Sequence, residues 1–92
     1  MGKVSIRSTA KKDLERLDRK LRKNLLIACM DIVDDWTIGK RLSGTLSKYR
    51  SHRLGMYRIL YRVEQSSNVV IVAIGHRDEI YERMEKRRRS GR

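Results

Sequence analysis

Tyr57-Arg58-Ile59-Leu60-Tyr61-Arg62-Val63 and, after a short polar break, Val69-Val70-Ile71-Val72-Ala73-Ile74-Gly75-His76-Arg77 form the stretch whose reading decides the fold. β-Branched and aromatic residues dominate both runs, and each is short enough for a strand. The break at 64–68 is of hairpin length, as is Leu54-Gly55-Met56 upstream, which joins 57–63 to a further strand expected at 46–53. Three antiparallel strands, 46–53, 57–63 and 69–75, therefore follow one another as a meander. Both core runs carry arginines, and the second finishes in a histidine.

Outward toward the N-terminus, Lys3, Val4, Ser5 and Ile6 alternate, which suits a short edge strand with Val4 and Ile6 on one face. Ser8 or Thr9 is placed to cap a helix. From Ala10 the apolar residues recur as Leu14, Leu17, Leu21, Leu25, Ala28, Ile32 and Trp36, at the spacings of three and four that mark a buried helical stripe. A single rod of about 27 residues would be roughly 40 Å long, against a radius of gyration of about 12 Å for a compact domain of this size. The chain must therefore reverse, and the charge-dense segment 18–24 is the expected place. Gly39 and Gly44 then bracket Lys40, Arg41, Leu42 and Ser43, a basic loop that closes the helical region.

Toward the C-terminus, Asp78 is expected to cap a short helix through about Lys86, with Glu79 and Glu82 early and Lys86 and Arg87 late, in accord with the helix dipole. A basic tail follows, expected to fray over 87–92. The fold class is thus α+β: an N-terminal strand, an antiparallel helical hairpin packed on a mainly antiparallel sheet, the meander and a short final helix, all within one domain over 1–92.

Composition bounds the partner. The 92 residues hold 23 Lys and Arg against 11 Asp and Glu, a net charge of +12, which implies a polyanion. No apolar run approaches the roughly 18 residues of a spanning helix, and no signal-peptide pattern opens the chain, so a cytoplasmic protein without a membrane partner is expected. Arginines at one end of a sheet suit phosphate, because each guanidinium offers paired donors and stays charged at every working pH. Nucleic acid is the expected partner. The single cysteine, Cys29, lies among Leu26, Ile27, Ala28 and Met30 and reads as a buried thiol. No CxxC, HExxH, P-loop or EF-hand pattern is present, so neither metal nor cofactor is called for. Asp31, Asp34 and Asp35 read as a solvated face.

The element order, together with Lys40-Arg41-Leu42-Ser43-Gly44, Gly55-Met56-Tyr57-Arg58-Ile59-Leu60-Tyr61 and Gly75-His76-Arg77-Asp78-Glu79-Ile80-Tyr81, resembles the RelE/ParE superfamily of toxins over nearly the whole chain. The resemblance implies a RelE-like fold and a toxin held inactive by a cognate antitoxin, acidic or amphipathic. In the RelE branch it implies a metal-independent endoribonuclease, an mRNA interferase that cuts messenger RNA in the ribosomal A site by attack of the ribose 2′-hydroxyl on the adjacent phosphate. The ParE branch implies inhibition of DNA gyrase instead, and a noncatalytic RNA- or antitoxin-binding member is the third possibility.

By position, Arg58 and Arg77 match the family's phosphate-binding arginines, Tyr81 matches its C-terminal catalytic tyrosine, and His76 stands beside them in sequence. The expected base is His76, with Tyr81 as an alternative base or a substrate-positioning group, and sequence does not order the two. The pattern departs from the family on the preceding strand, where relatives that depend on lysines have them at the places of Tyr49 and Ser51. Lys40, Arg41, Lys48, Arg50, His52 and Arg53 supply the RNA-binding charge instead. Strand alternation sends Arg50 and His52 to one face and Arg53 to the other, leaving open which pair of hands meets the substrate. Each assignment has a structural counterpart: His76 bonding the start of the final helix, Tyr81 docking that helix on the sheet, Arg58 in an ion pair with Glu64 or Asp35.

Overall fold

The computed structural model describes residues 3–65 and 67–90. Met1, Gly2, Ser66 in the hairpin connection and the tail residues Gly91 and Arg92 lie outside the described residues. The two runs that opened the sequence form β4 (Tyr57–Glu64) and β5 (Asn68–His76), paired antiparallel from Tyr57 opposite His76 to Glu64 opposite Asn68. One irregularity interrupts them. Leu60 faces Ala73 but Tyr61 faces Ile71, so Val72 is an extra residue on β5. Such a bulge resets the alternation. Val69, Ile71 and Ile74 join one core with Ile59 and Tyr61, whereas Val70, Val72 and Ala73 join another with Leu60.

β3 (Arg50–Leu54) pairs antiparallel with β4, and a two-residue β2 (Lys40–Arg41) pairs antiparallel with β3. On the other side β1 (Val4–Ile6) runs parallel to β5, giving the five-stranded order β1-β5-β4-β3-β2. β3 starts four residues later than the expected strand at 46–53. The reason lies in Gly44, whose φ of +66° opens a 3-10 turn over Gly44–Leu46. Lys40 and Arg41, expected in a loop, are drawn into the sheet edge.

α1 (Ser8–Glu15) and α2 (Arg19–Asp34) cover the first face, burying Ala10, Leu14, Leu25, Ala28, Cys29 and Ile32 against Ile59, Tyr61, Ile71 and Ile74. The chain reverses at Arg16, Leu17 and Asp18, upstream of the expected segment 18–24, of which only Asp18 takes part. The Asp18 carboxylate accepts from the Leu21 N–H at 2.8 Å, making Asp18 a helix cap, so the polar residues after it are helical. Arg7, with no side-chain cap, precedes α1 where Ser8 or Thr9 was expected to cap. Thr9 is diverted: its hydroxyl donates to the bulged Val72 carbonyl at 3.0 Å.

The second face carries α3 (Ile80–Ser90), whose Ile80 and Met84 pack on Leu60, Val70, Val72 and Ala73. Its first helical bond runs from the Arg83 N–H to the Glu79 carbonyl at 2.9 Å, so Glu79 rather than Asp78 holds the cap position. The helix continues past Lys86 into the stretch expected to fray.

Tyr61 ties the sheet to the segment between α2 and β2. It is fully buried, its hydroxyl donates to the Trp36 carbonyl at 2.7 Å and accepts from the Gly39 N–H at 2.9 Å. Burial raises its pKa. Tyr61→Phe strands both backbone groups, and the expected loss is about 1–3 kcal/mol, read as a lower denaturant midpoint at unchanged slope.

Burial also pushes the Cys29 thiol from 9.0 to about 11. The folded protein therefore keeps a proton that the unfolded chain releases above pH 9. Stability from this group is complete below pH 9 and is lost as pH rises toward about 11. The stability decline over that window should be shallower in Cys29→Ala, and the native thiol should resist alkylation at neutral pH until the protein is unfolded.

Candidate functional site

Arg53 and Arg58 stand directly opposite each other on β3 and β4, and Gly75 of β5 faces Arg58 from the other side. A Cβ on Gly75 would lie 2.9 Å from the Ile80 Cδ1 and 3.3 Å from an Arg83 nitrogen, so the absence of a side chain admits the start of α3. That close approach carries Tyr81 over the sheet. The Arg58 guanidinium carbon lies 5.8 Å from the centre of the Tyr81 ring, within cation–π range. The Tyr81 hydroxyl is 3.0 Å from the Ser51 Oγ, and Ser51 is 4% exposed. Arg58, Arg53, Tyr81 and Ser51 thus gather on the α3 face of the sheet.

Among the described residues neither Arg53 nor Arg58 has an ion-pair carboxylate. Glu64, one of the partners considered for Arg58, is taken by Arg62 at 2.8 Å. Two arginines paired across the ladder without a carboxylate, near an aromatic face and two hydroxyls, are a set of groups chemically suited to an anion. Arg77 follows the end of β5, where its N–H donates to the Met56 carbonyl at 2.8 Å and prolongs the ladder by one bond. Its half-exposed side chain lies 3.6 Å from the Asp78 carboxylate.

His76 is not gathered with them. The Val72 bulge shifts the phase of β5, so His76 faces the α1 and α2 side, where its ring meets Tyr57 edge-on at 5.9 Å. Its Nδ1 accepts from the Asp78 N–H at 3.2 Å and lies 3.4 Å from an Asp78 carboxylate oxygen. These contacts are alternatives, since a bare nitrogen accepts from the amide and a protonated one donates to the carboxylate. Either way His76 braces the turn into α3.

The basic candidates divide between the two faces. Arg50 donates to the Gly39 carbonyl at 2.7 Å and stacks 5.0 Å over the Trp36 ring, and His52 shares its face by alternation. Arg53 alone of this trio shares the face of Arg58. Lys48 lies 5.4 Å over Tyr49, Arg41 donates to the Ser47 carbonyl at 3.2 Å, and Lys40 is exposed on β2. Arg41, Lys48 and Arg50 line a cleft of about 370 Å³ with Trp36 at the β2 edge of the sheet.

Two contributors escaped the sequence. Ser51 carried no signal linking it to a residue 30 positions away. Arg83 donates through both terminal nitrogens to Asp13 at 3.1 and 2.9 Å, and to the Ile74 carbonyl at 3.1 Å, while Asp13 also accepts from the Ile74 N–H at 3.0 Å. Here a signal existed: Asp13 adjoins Leu14 in the buried stripe of α1 and needs a cationic partner.

Residues 4–81 match the family described as the ParE toxin of the type II toxin-antitoxin system parDE. The chain belongs to the RelE/ParE superfamily of type II toxins. It is similar to the toxin RelG of Mycobacterium tuberculosis, 34% identical over 83 residues that span 87% of this chain and 95% of the relative. It is also similar to a chain of the RelBE2 toxin–antitoxin complex of the same species, at 30% identity and a TM-score of 0.74, covering 83% of this chain and 98% of that one. The isolated E. coli RelE toxin shares the fold, with a TM-score of 0.71 at 22% identity over 95% of this chain and 98% of that one.

In this RelE/ParE toxin one carboxylate, that of Asp13, links α1, β5 and α3. Asp13→Ala leaves the Ile74 N–H without its acceptor and Arg83 without its carboxylate, though still bonded to the Ile74 carbonyl, with an expected loss of about 2–4 kcal/mol. Tryptic cleavage within α3 should accelerate in step, whereas Asp13→Asn, which keeps an acceptor for Ile74, should fall between that variant and the wild type.

Proposed function

We propose that this toxin is a ribosome-dependent, metal-independent endoribonuclease acting on messenger RNA in the A site. The observation that carries the reading is the juxtaposition of Arg58, Arg53, Tyr81 and Ser51 on the α3 face of the sheet. In the reaction the 2′-oxygen bonds to the adjacent phosphorus, its proton passes to a base, and the P–O5′ bond breaks. The products are a 2′,3′-cyclic phosphate and a 5′-hydroxyl, whose oxygen receives a proton from an acid. Charge accumulates on the non-bridging phosphate oxygens in between, where prealigned cations act most strongly.

Arg58 and Arg53 suit that charge, with Arg77 beside them at the end of β5. Arginine holds its proton too firmly to shuttle it. Tyr81 is the group near Arg58 able to exchange a proton, and Ser51 fixes its hydroxyl. The position of His76 on the opposite face favours Tyr81 over His76 for proton transfer. With Tyr49 and Ser51 standing where some relatives carry lysines, the arginines take the phosphate charge, Tyr81 takes the proton of the 2′-hydroxyl, and solvent water supplies the proton to the leaving 5′-oxygen. A target in the ribosome places the toxin in the cytoplasm.

A cognate antitoxin of acidic or amphipathic character belongs to the same proposal. RelBE2 of Mycobacterium tuberculosis is a toxin–antitoxin complex, and the net charge of +12 speeds the approach of an acidic partner. The gyrase-directed reading draws on the ParE description of the matched family, and needs no proton transfer at Tyr81.

Mapping of 5′ ends in a reconstituted translation system separates the two. Wild type should leave 5′-hydroxyl ends at ribosome-occupied codons. Arg58→Ala should slow cleavage by about 10²–10³-fold and Tyr81→Phe by about 10²-fold or more, while His76→Ala, acting through the turn, should cost less than about tenfold. Intact message beside inhibited DNA supercoiling by gyrase would overturn the proposal.

A further inference from the structure

The outward face of α2 is apolar at its centre and oppositely charged at its ends. Ile27 and Met30 are 52% and 56% exposed, and Leu26 beside them is 41% exposed. Together with Lys20, Lys23 and Asp34, Ile27 and Met30 recur at spacings of three and four, a heptad-like stripe on the side of the helix away from the core. Asn24 and Asp31 flank it. Among the described residues, Lys20, Lys23, Asp31 and Asp34 make no ion pair, although all four are exposed.

The charge order opposes the helix's own field. Arg19, Lys20, Arg22 and Lys23 crowd the positive N-terminal end, Asp31 and Asp34 the negative C-terminal end, and neither the first turn has an acidic residue nor the last a basic one. Within one molecule this arrangement is unfavourable. It becomes favourable when a second helix of the same sequence lies antiparallel across it. A two-fold axis beside Ile27 sets Ile27 against its counterpart, Asn24 near Met30, and the Lys20–Lys23 turn of each copy beside the Asp31 and Asp34 carboxylates of the other. The stripe is complementary to itself.

We propose that this face is a self-association surface, an isologous antiparallel α2–α2 contact between two copies of the chain. An acidic helix is the poorer occupant, because its charge would meet Asp31 and Asp34 at one end. A single helix pair buries less than the roughly 1,200 Å² of a stable interface, so the dimer is weak, with dissociation in the range of tens to hundreds of micromolar. Two bodies of net charge +12 also repel. Near physiological ionic strength, where screening acts beyond about 8 Å, that repulsion fades while the close pairs persist.

Analytical ultracentrifugation of the full chain near physiological salt, up to about 300 µM, tests this together with two charge-reversed variants. Wild type should rise from 10.9 kDa toward twice that mass. Lys20→Glu with Lys23→Glu makes the stripe wholly acidic, and Asp31→Lys with Asp34→Lys makes it wholly basic. Each variant alone should stay monomeric while its thermal midpoint holds or rises, because each reversal puts charge in register with the dipole. An equimolar mixture should recover the heavier species. The proposal is overturned by a monomeric wild type at the highest concentration, by self-association that survives in both variants alone, or by a mixture that stays monomeric. It is equally overturned if wild type stays monomeric and the reversals instead weaken capture of an antitoxin helix, which would make that helix the occupant.

Discussion

The outer edge of β5 has to be closed by side chains, and the structure depends on how that is done. β1 covers the edge up to Ile71, where the Arg7 N–H makes the last bond at 2.9 Å, and then turns away into α1. Beyond it the Val72 carbonyl and both polar groups of Ile74 have no strand partner on that side. Thr9, Asp13 and Arg83 supply them. An unsatisfied buried backbone group costs about 1–3 kcal/mol, so three of them are decisive for a chain of 92 residues. Because Asp13 comes from α1 and Arg83 from α3, closing the edge also fixes both helices to one strand. The Arg83 Nε, buried and without a partner among the described residues, is the cost left over.

The same edge explains why the site was only half legible. Helices, strands and their order follow from periodicity, and the burial of Cys29 follows from its neighbours. Periodicity fails where every residue is alike. Val69 to Ile74 is uniformly apolar, so nothing in it marks the phase of the alternation or the extra residue at Val72. Counting straight through puts His76 in phase with Val70 and Val72; the bulge puts it in phase with Ile74. Asp18 is a similar case, since a capping carboxylate and a loop carboxylate look the same in a polar stretch, and only the bond to Leu21 tells them apart.

Arg58 was legible as an individual residue because a charge in an apolar strand demands a partner, whereas Tyr81 entered only through the resemblance to the toxin family. Their partners were not. Alternation on β3 offered Arg50 with His52 on one face or Arg53 on the other, and register alone chooses between them. Arg50 is engaged by Gly39 and Trp36, which turns a candidate contact into a brace for the β2 edge. Ser51 emerges because Gly75 lets α3 come close enough for Tyr81 to reach across to β3.

Arg53 opposite Arg58 is an unfavourable pair for stability. Like charges directly across an antiparallel ladder destabilise it, by the same few tenths to one kcal/mol (roughly) that opposite charges contribute. Among the described residues no carboxylate intervenes, although Glu64 and Asp78 engage other arginines nearby. The Tyr81 ring offsets part of the repulsion by presenting its π face to Arg58. What remains is an uncompensated positive potential on the face where Tyr81 and Ser51 meet. A phosphate group between the guanidiniums turns that repulsion into two charge-assisted contacts, and it does so more strongly as charge builds on the phosphate oxygens than in the resting diester. Under the proposed function, the same pair that weakens the free sheet would favour the charge-rich state of the phosphate over the resting diester.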